Sequence, residues 1–421
     1  MITADLLVDD AEEIATLARG SIPRAGPAMR SLGLVRHAAL AADRGRIVWI
    51  GPARRRPREV RLRPGGQRVS AEGGIVVPGF VDAHTHAIFA GDRAFELPLK
   101  IAGSSYAEIA RRGGGLFATV RATRAAPDAE VLAETATRLR GMLARGSTTI
   151  EVKSGYALDV EGELRLLRLI RRLARRLPIS LVPTFLGAHA VPERYRGGAD
   201  AYLDRLVRDA LPAIARGRLA RFCDVFCEPG FFTVRQSERL LRAALAMGLG
   251  VKIHAEEFRL SGGARLAARL RATSADHLLA ATADDRERLR DAGVTAVLLP
   301  VTAFAVGPAR RSPGREFVDA GVPVALGTDC SPNSWVESMG VVLAHAVHGG
   351  RLTPAEALTA ATVNAAHAVG EPERGRLVPG APADFSIFPL RSTEQLGYRF
   401  DAVPAVVFRQ GKRISLSELR Q

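Results

Sequence analysis

The sequence predicts a (β/α)8 barrel of the TIM type, joined to a small β-sandwich domain built from both chain termini. Three observations predict it. Between residues 77 and 374, eight strand-like segments alternate with helix-like ones. Those strands are near-continuous apolar runs, the pattern of sheets buried on both faces. The two ends, 1–76 and 375–421, read instead as short strands broken by Gly, Pro and Arg turns.

At the N-terminal end, "AALAADRGRIVWIGP" (38–52) reads as hairpin material, and "GRLVPGAPADFSIFP" (375–389) and "AVVFRQGKRI" (405–414) match it at the other end. The two parts are expected to meet in one small β domain. The eight central strand candidates are "GIVVPGFVDAHTH", "STTIEVKSGY", "ISLVPTFLGAH", "FCDVFCE", "GVKIHAEEF", "ATSADHL", "VTAVLLPVTAF" and "VPVALGTDC". Helices lie between most of them, such as the amphipathic "ELRLLRLIRRLARRL" (163–177) with its solvated Arg face. A doubly wound open sheet is the competing architecture, but no Gly-rich phosphate loop follows the first strand. "RRGGGLF" (111–117) lies outside a strand-to-helix turn and reads as a flexible active-site loop.

Composition narrows the function. The chain has 421 residues, 47% hydrophobic and 24% charged, as in an ordinary soluble protein. Its net charge of +15 raises the question of nucleic acid or an anionic membrane. The excess is almost entirely Arg, spread along helical stretches, with lysines only at Lys100, Lys153, Lys252 and Lys412. No basic patch interleaved with aromatics appears, so neither partner is expected. Cys223, Cys227 and Cys330 cannot form a disulfide framework, and Cys223 and Cys227 read as core thiols on a buried strand and not as metal ligands. The acidic N-terminus lacks the basic-then-apolar pattern of a signal peptide, and no apolar run reaches the ~18–20 residues of a membrane span. A cytoplasmic location is expected.

The polar residues fall at the C-terminal ends of the strand candidates, the face where barrels of this kind carry their active sites. His84 and His86 end the first, with Asp82 below them on the same face. Lys153, Ser154 and Tyr156 follow the second and His189 the third; Glu228 follows the fourth. His254, Glu256 and Glu257 end the fifth, His277 the sixth, Thr302 belongs to the seventh, and Asp329 ends the eighth. Singly, His189 or His277 fits a hydrogen-bonded structural histidine, and Asp329 a helix N-cap. Jointly they fit a metal hydrolase: three imidazoles and a carboxylate suit zinc or iron. Glu257 is placed to carry a proton from water to a leaving nitrogen, and His277 to stabilise charge on an attacked carbonyl. Strand alternation also leaves Glu256 on the face of His254. Lys153 reads as part of a substrate-lining loop; a carbamylated bridge between two metals is the weaker alternative.

The set "GFVDAHTH", "KIHAEE", "SADH" and "GTDC" resembles the amidohydrolase superfamily over nearly the whole chain. "HTHAIFAGDRAFE", "GGGLFATVRATR", "EVKSGYALD", "TFLGAHAVPERY", "DVFCEPGFFT" and "TVNAAHAVG" are similar, in order and spacing, to the imidazolonepropionase family of histidine catabolism. That resemblance implies a single divalent or trivalent metal ion, zinc or iron, on His84, His86, His254 and Asp329. It implies Glu257 as general base and acid and His277 as carbonyl polariser. Arg93, Tyr106, Tyr156 and His189 then match positions that grip a small substrate bearing a carboxylate, 4-imidazolone-5-propanoate, hydrolysed to N-formimidoyl-L-glutamate. Ser331, Asn333 and Ser334 belong to the substrate loop after the eighth strand. Here the sequence departs from the family: Ser331 stands in place of an amide side chain and Asn333 in place of Gly. A homodimer is expected. The rival readings are a deaminase of a cyclic amidine or nucleobase, which has no use for a carboxylate clamp at Arg93, and a non-catalytic binding protein, in which ligand loss is expected.

Overall fold

A computed structural model describes residues 1–104, 106–195, 197–306 and 310–415, without the side chains of Tyr106, Ala107, Ala110 and Val306. The small domain takes β1 (Ile2–Ala15), β2 (Leu34–Asp43), β3 (Arg46–Pro52), β4 (Val60–Ser70) and β5 (Ile75–Pro78). The barrel takes β6 (Phe80–Asp82), β7 (Ser147–Lys153), β8 (Ser180–Ala188), β9 (Phe222–Cys227), β10 (Gly250–Ala255), β11 (Ser274–His277), β12 (Thr295–Leu298) and β13 (Val324–Leu326). The chain then returns to the small domain as β14 (Phe385–Phe388), β15 (Val406–Arg409) and β16 (Lys412–Arg413).

The small domain is one continuous mixed sheet in the order β16-β15-β14-β5-β1-β2-β3, with β4 also on β1. Long β1 holds it together. Its first half pairs with β4 and its last residues with β5, while a bulge interrupts its pairing with β2 between Val8 and Ala11. The termini join where β14 lies antiparallel to β5. Because β5 still belongs to this sheet, the domain boundary expected at residue 76 falls inside a strand, and the barrel begins after Gly79.

The barrel strands run parallel, each beside its successor from β6 to β13. All eight correspond to the sequence candidates. The seam between β6 and β13 is closed partly by side chains. Asp82 accepts hydrogen bonds from the Thr328 amide (2.9 Å) and hydroxyl (2.6 Å), and the Asp329 amide donates to the His84 carbonyl at 2.9 Å. Asp82 is therefore a seam clamp, and burial pushes its carboxyl up to about 7. Helix Val160–Ala174 buries Leu164, Leu166, Leu167 and Ile170 and is capped by Asp159, which accepts from the Gly162 amide. Such a cap is worth roughly 0.5–2 kcal/mol. Arginines on the outer helix faces form ion pairs such as Arg165–Asp128, Arg239–Asp204 and Arg242–Glu238. Among the described residues no helix is long and apolar enough to cross a membrane.

One strand candidate changes identity part-way. Only Thr295–Leu298 of "VTAVLLPVTAF" is strand; Pro300 starts a helix running to Val306, and Thr302 sits in its first turn. Proline suits that first helical position because its missing N–H has no partner there to lose.

Candidate active site and metal centre

His84 and His86 lie just beyond β6, in a segment that keeps strand-like bonding to both neighbours. The His86 amide donates to the Cys330 carbonyl (3.0 Å), and the Lys153 amide donates to the Thr85 carbonyl (2.9 Å). Arg138 secures the stretch that follows, donating to the Ala87 and Phe89 carbonyls with its guanidinium 3.7 Å from the Phe89 ring centre. Gly327 permits the close packing beneath His84, since a Cβ there would stand 2.8 Å from the His84 Cβ.

Three imidazole nitrogens and one carboxylate converge. His86 Nε2 is 3.2 Å from His84 Nε2 and 3.3 Å from His254 Nε2, and Asp329 Oδ1 is 3.5 Å from both His84 Nε2 and His86 Nε2. All four side chains are buried. His84 turns its other nitrogen, Nδ1, onto Asp276 Oδ2 at 2.6 Å. His254 Nδ1 lies 3.0 Å from Asp224 Oδ2, off the ideal hydrogen-bond line. With carboxylates at Nδ1 of His84 and His254, the protons of those two rings belong there, and their Nε2 atoms face the cluster as bare lone pairs. Lone pairs facing one another in a buried space repel unless a cation lies between them. Metal–nitrogen bonds of about 2.0–2.1 Å in a tetrahedral shell separate ligand atoms by roughly 3.3–3.4 Å, close to the four separations of 3.2, 3.3, 3.5 and 3.5 Å. The residues fit a metal ion. Thr302 contributes by donating to Asp329 Oδ2 at 2.8 Å, which leaves Oδ1 toward the histidines.

Glu257 Oε2 stands 3.7 Å from His277 Nε2. Burial, then the Asp329 charge, holds the Glu257 carboxyl well above the usual range, and burial keeps His277 neutral. The turn bearing Glu257 is fixed from two sides: Glu228 accepts from the Phe258 amide (3.1 Å), and Arg310 donates to the Glu257 carbonyl (2.8 Å). Glu256, by contrast, faces away. β10 has ended at Ala255 and Glu256 takes a left-handed φ of 51°, so strand alternation no longer applies. Its oxygens accept from the Gly262 and Ala264 amides, both at 2.8 Å. His277 (φ 73°) and Asp329 (φ 52°) share this unfavourable conformation, which costs of order 1–3 kcal/mol per residue and concentrates at functional sites.

Tyr156 and His189 line the same space. His189 stacks on His86 with centroids 5.0 Å apart and donates from Nδ1 to the Gly155 carbonyl at 3.0 Å. Tyr156 lies 5.3 Å from the His189 ring, and Glu163 ties its loop down through the Gly155, Ala157 and Leu158 amides. Arg93 is buried and grips Glu96 through two contacts, Nε at 2.7 Å and Nη2 at 2.8 Å. Glu96 also accepts from the Gly115 amide at 2.6 Å, so the triple-Gly stretch read as a flexible loop is anchored at Gly115. Tyr106 opens a short helix, and the expectation for its side chain lies outside the described residues. The loop after β13 bonds largely to itself and its neighbours. The Ser334 amide donates to Ser331 Oγ (3.2 Å), and Asn333 accepts from Lys100 Nζ (2.9 Å). Asn333 does not take the left-handed conformation that its replacement of Gly brings into question.

Lys153 corrects an expectation. It lines no substrate loop and bridges no metal pair: it is fully buried, and its ammonium lies 2.8 Å from Asp224, 2.9 Å from Glu151 and 3.5 Å from Asp276. Sequence reading passed over this group, Glu151, Asp224, Lys252 and Asp276. The available signal was charge interrupting apolar strands, as in "IEVK", "CDVF" and "VKIH".

Comparison with known proteins assigns the family. Residues 107–412 match the model of the amidohydrolase family. Curated imidazolonepropionases align over nearly their whole length: that of Symbiobacterium thermophilum is 46% identical over 98% of both chains. Those of Syntrophobacter fumaroxidans (44%, 92% of both chains) and Myxococcus xanthus (42%, 99% of both) follow the same pattern. This chain belongs to the imidazolonepropionase family. Among solved structures, a zinc-bound adenosine deaminase from Xanthomonas campestris superposes with a TM-score of 0.72 at 19% identity, covering 100% of this chain and 97% of that one. A mutant atrazine chlorohydrolase from Arthrobacter aurescens TC1, complexed with zinc and atraton, gives 0.70 at 18%, covering 99% and 98%. At such identities these two establish the shared fold alone.

Proposed function

We propose that the protein hydrolyses the ring amide C–N bond of 4-imidazolone-5-propanoate to N-formimidoyl-L-glutamate, with one zinc or iron ion held by His84, His86, His254 and Asp329. The observation that carries this reading is the Glu257–His277 contact beside two metal-capable triads that share His84, namely His84–His86–Asp329 and His84–His254–His277. The metal, when bound, supplies a Lewis acid that polarises the carbonyl and eases deprotonation of water at neutral pH. Glu257, desolvated and therefore a stronger base than an exposed glutamate, takes the proton from the attacking water. It returns that proton to the ring nitrogen as the C–N bond breaks, while the water oxygen stays on the former carbonyl carbon. Neutral His277 hydrogen-bonds to the developing oxyanion. Tyr156 and His189 present ring faces and polar edges to the imidazolone, and Arg93 pairs with the propanoate.

Incubation of the purified protein with imidazolonepropionate, followed by loss of the substrate's ultraviolet absorbance, is expected to show turnover with N-formimidoyl-L-glutamate as product. No turnover by metal-loaded protein sinks the assignment. Elemental analysis is expected to find one metal equivalent per active chain; two equivalents, both required for turnover, contradict the single site. Chelation is expected to abolish activity while circular dichroism still reports a folded barrel, because the eight-stranded core does not depend on the ion.

A further inference from the structure

Beneath the converging histidines lies a buried charge cluster that no step above uses. Glu151 and Lys153 come from β7, Asp224 from β9, Lys252 from β10 and Asp276 from β11, and all five are fully buried. The acids outnumber the lysines by one. Two of the acids sit behind metal-ligand histidines: Asp276 behind His84 and Asp224 behind His254. Lys153 contacts both, at 3.5 Å and 2.8 Å, and so lies between the two carboxylates that orient the rings. Lys252 differs. Its ammonium reaches Glu151 (3.2 Å) and the Ala83 carbonyl (3.3 Å), with no ion pair to Asp224 or Asp276. Ser274 completes the Asp276 side by donating to its other oxygen at 2.6 Å.

We propose that Lys153 is a positioning residue, holding Asp224 and Asp276 in place so that His254 and His84 keep their protons on Nδ1 and present bare Nε2 atoms before any ion arrives. Two like-charged carboxylates held close in a dry interior repel, and each would otherwise rotate away from its histidine. A cation bonded to both removes that tendency. The site is thereby organised in the empty protein, so little ordering remains for metal binding to supply. The inference rests on the metal reading above.

The test uses zinc competition against a chromophoric chelator, together with ¹⁵N-histidine NMR of the zinc-free protein. In the wild type, His84 and His254 are expected as Nδ1–H tautomers. Lys153→Met is expected to disturb both and to weaken zinc binding by about 10–100-fold, the range for loss of outer partners of a metal ligand. Lys252→Met removes an equally buried charge that has no ion pair to either aspartate and acts on Asp276 only from a distance, so its loss of affinity is expected to be smaller and the His254 tautomer unchanged. The double variant Lys153→Met/Glu151→Gln removes one charge of each sign. It serves where the single variant does not fold, with the same expected result. Equal loss of zinc affinity in the Lys153 and Lys252 variants overturns the proposal, as do unchanged tautomers on loss of Lys153. So does an Nε2–H tautomer at either histidine in the wild type, whatever the variants do. A wild type that binds no zinc or iron refutes the metal reading itself, which is a separate outcome.

Discussion

Glu257→Gln is expected to lower kcat by about 10²–10⁴-fold, the usual contribution of general acid–base catalysis, with metal content unchanged. Gln keeps the size and part of the hydrogen bonding but cannot take a proton from water. The neighbouring acid cannot substitute. Both oxygens of Glu256 are occupied by loop amides, and its left-handed backbone turns it out of the site. Glu256→Gln is therefore expected to act through loop stability, visible in Tm before kcat. Near-full activity in the Glu257→Gln variant would remove the residue from the mechanism.

Arg93→Met is expected to reduce kcat/KM for imidazolonepropionate by about 30- to 1000-fold, since a charge-assisted contact in a partly desolvated site is worth roughly 2–4 kcal/mol. Its pairing with Glu96 sharpens the experiment. Arg93 spends Nε and Nη2 on that carboxylate, and Glu96 in turn anchors Gly115. The variant thus removes a support of the mouth together with the proposed substrate contact. An analogue lacking the carboxylate separates the two: it loses little if Arg93 grips the propanoate, and as much as the true substrate if Arg93 only supports the loop. The second outcome favours a deaminase acting on a neutral ring.

The barrel and the small terminal domain were legible in the sequence because both follow from local patterns. Eight apolar runs spaced by amphipathic helices leave few ways to bury both sheet faces, and short turn-rich strands at the two ends need each other's edges. The convergence of His84, His86, His254 and Asp329 was legible for the same reason, since a histidine or aspartate at the end of a barrel strand is aimed at one mouth by the topology alone. Alternation failed where strands stop. Glu256 lies one residue past β10, where the backbone reverses its twist, and only the folded turn shows that Glu257 faces His277 while Glu256 holds the loop.

By itself the sequence determined the fold class, the family, and which histidines and aspartate stand at the mouth, because those depend on periodicity and on residue types at strand ends. Only the tertiary structure decided what the buried charges do. Lys153 and Asp276 are far apart in the chain, and their distance in space depends on the placing of strands β7 and β11 within the closed barrel. A lysine at the end of a strand reads as part of a substrate-lining loop, or less readily as a metal bridge, until the carboxylates around it are located. A charge interrupting an apolar strand marks such a group in the sequence but does not name its partners, since those are chosen by closure of the sheet and not by spacing along the chain.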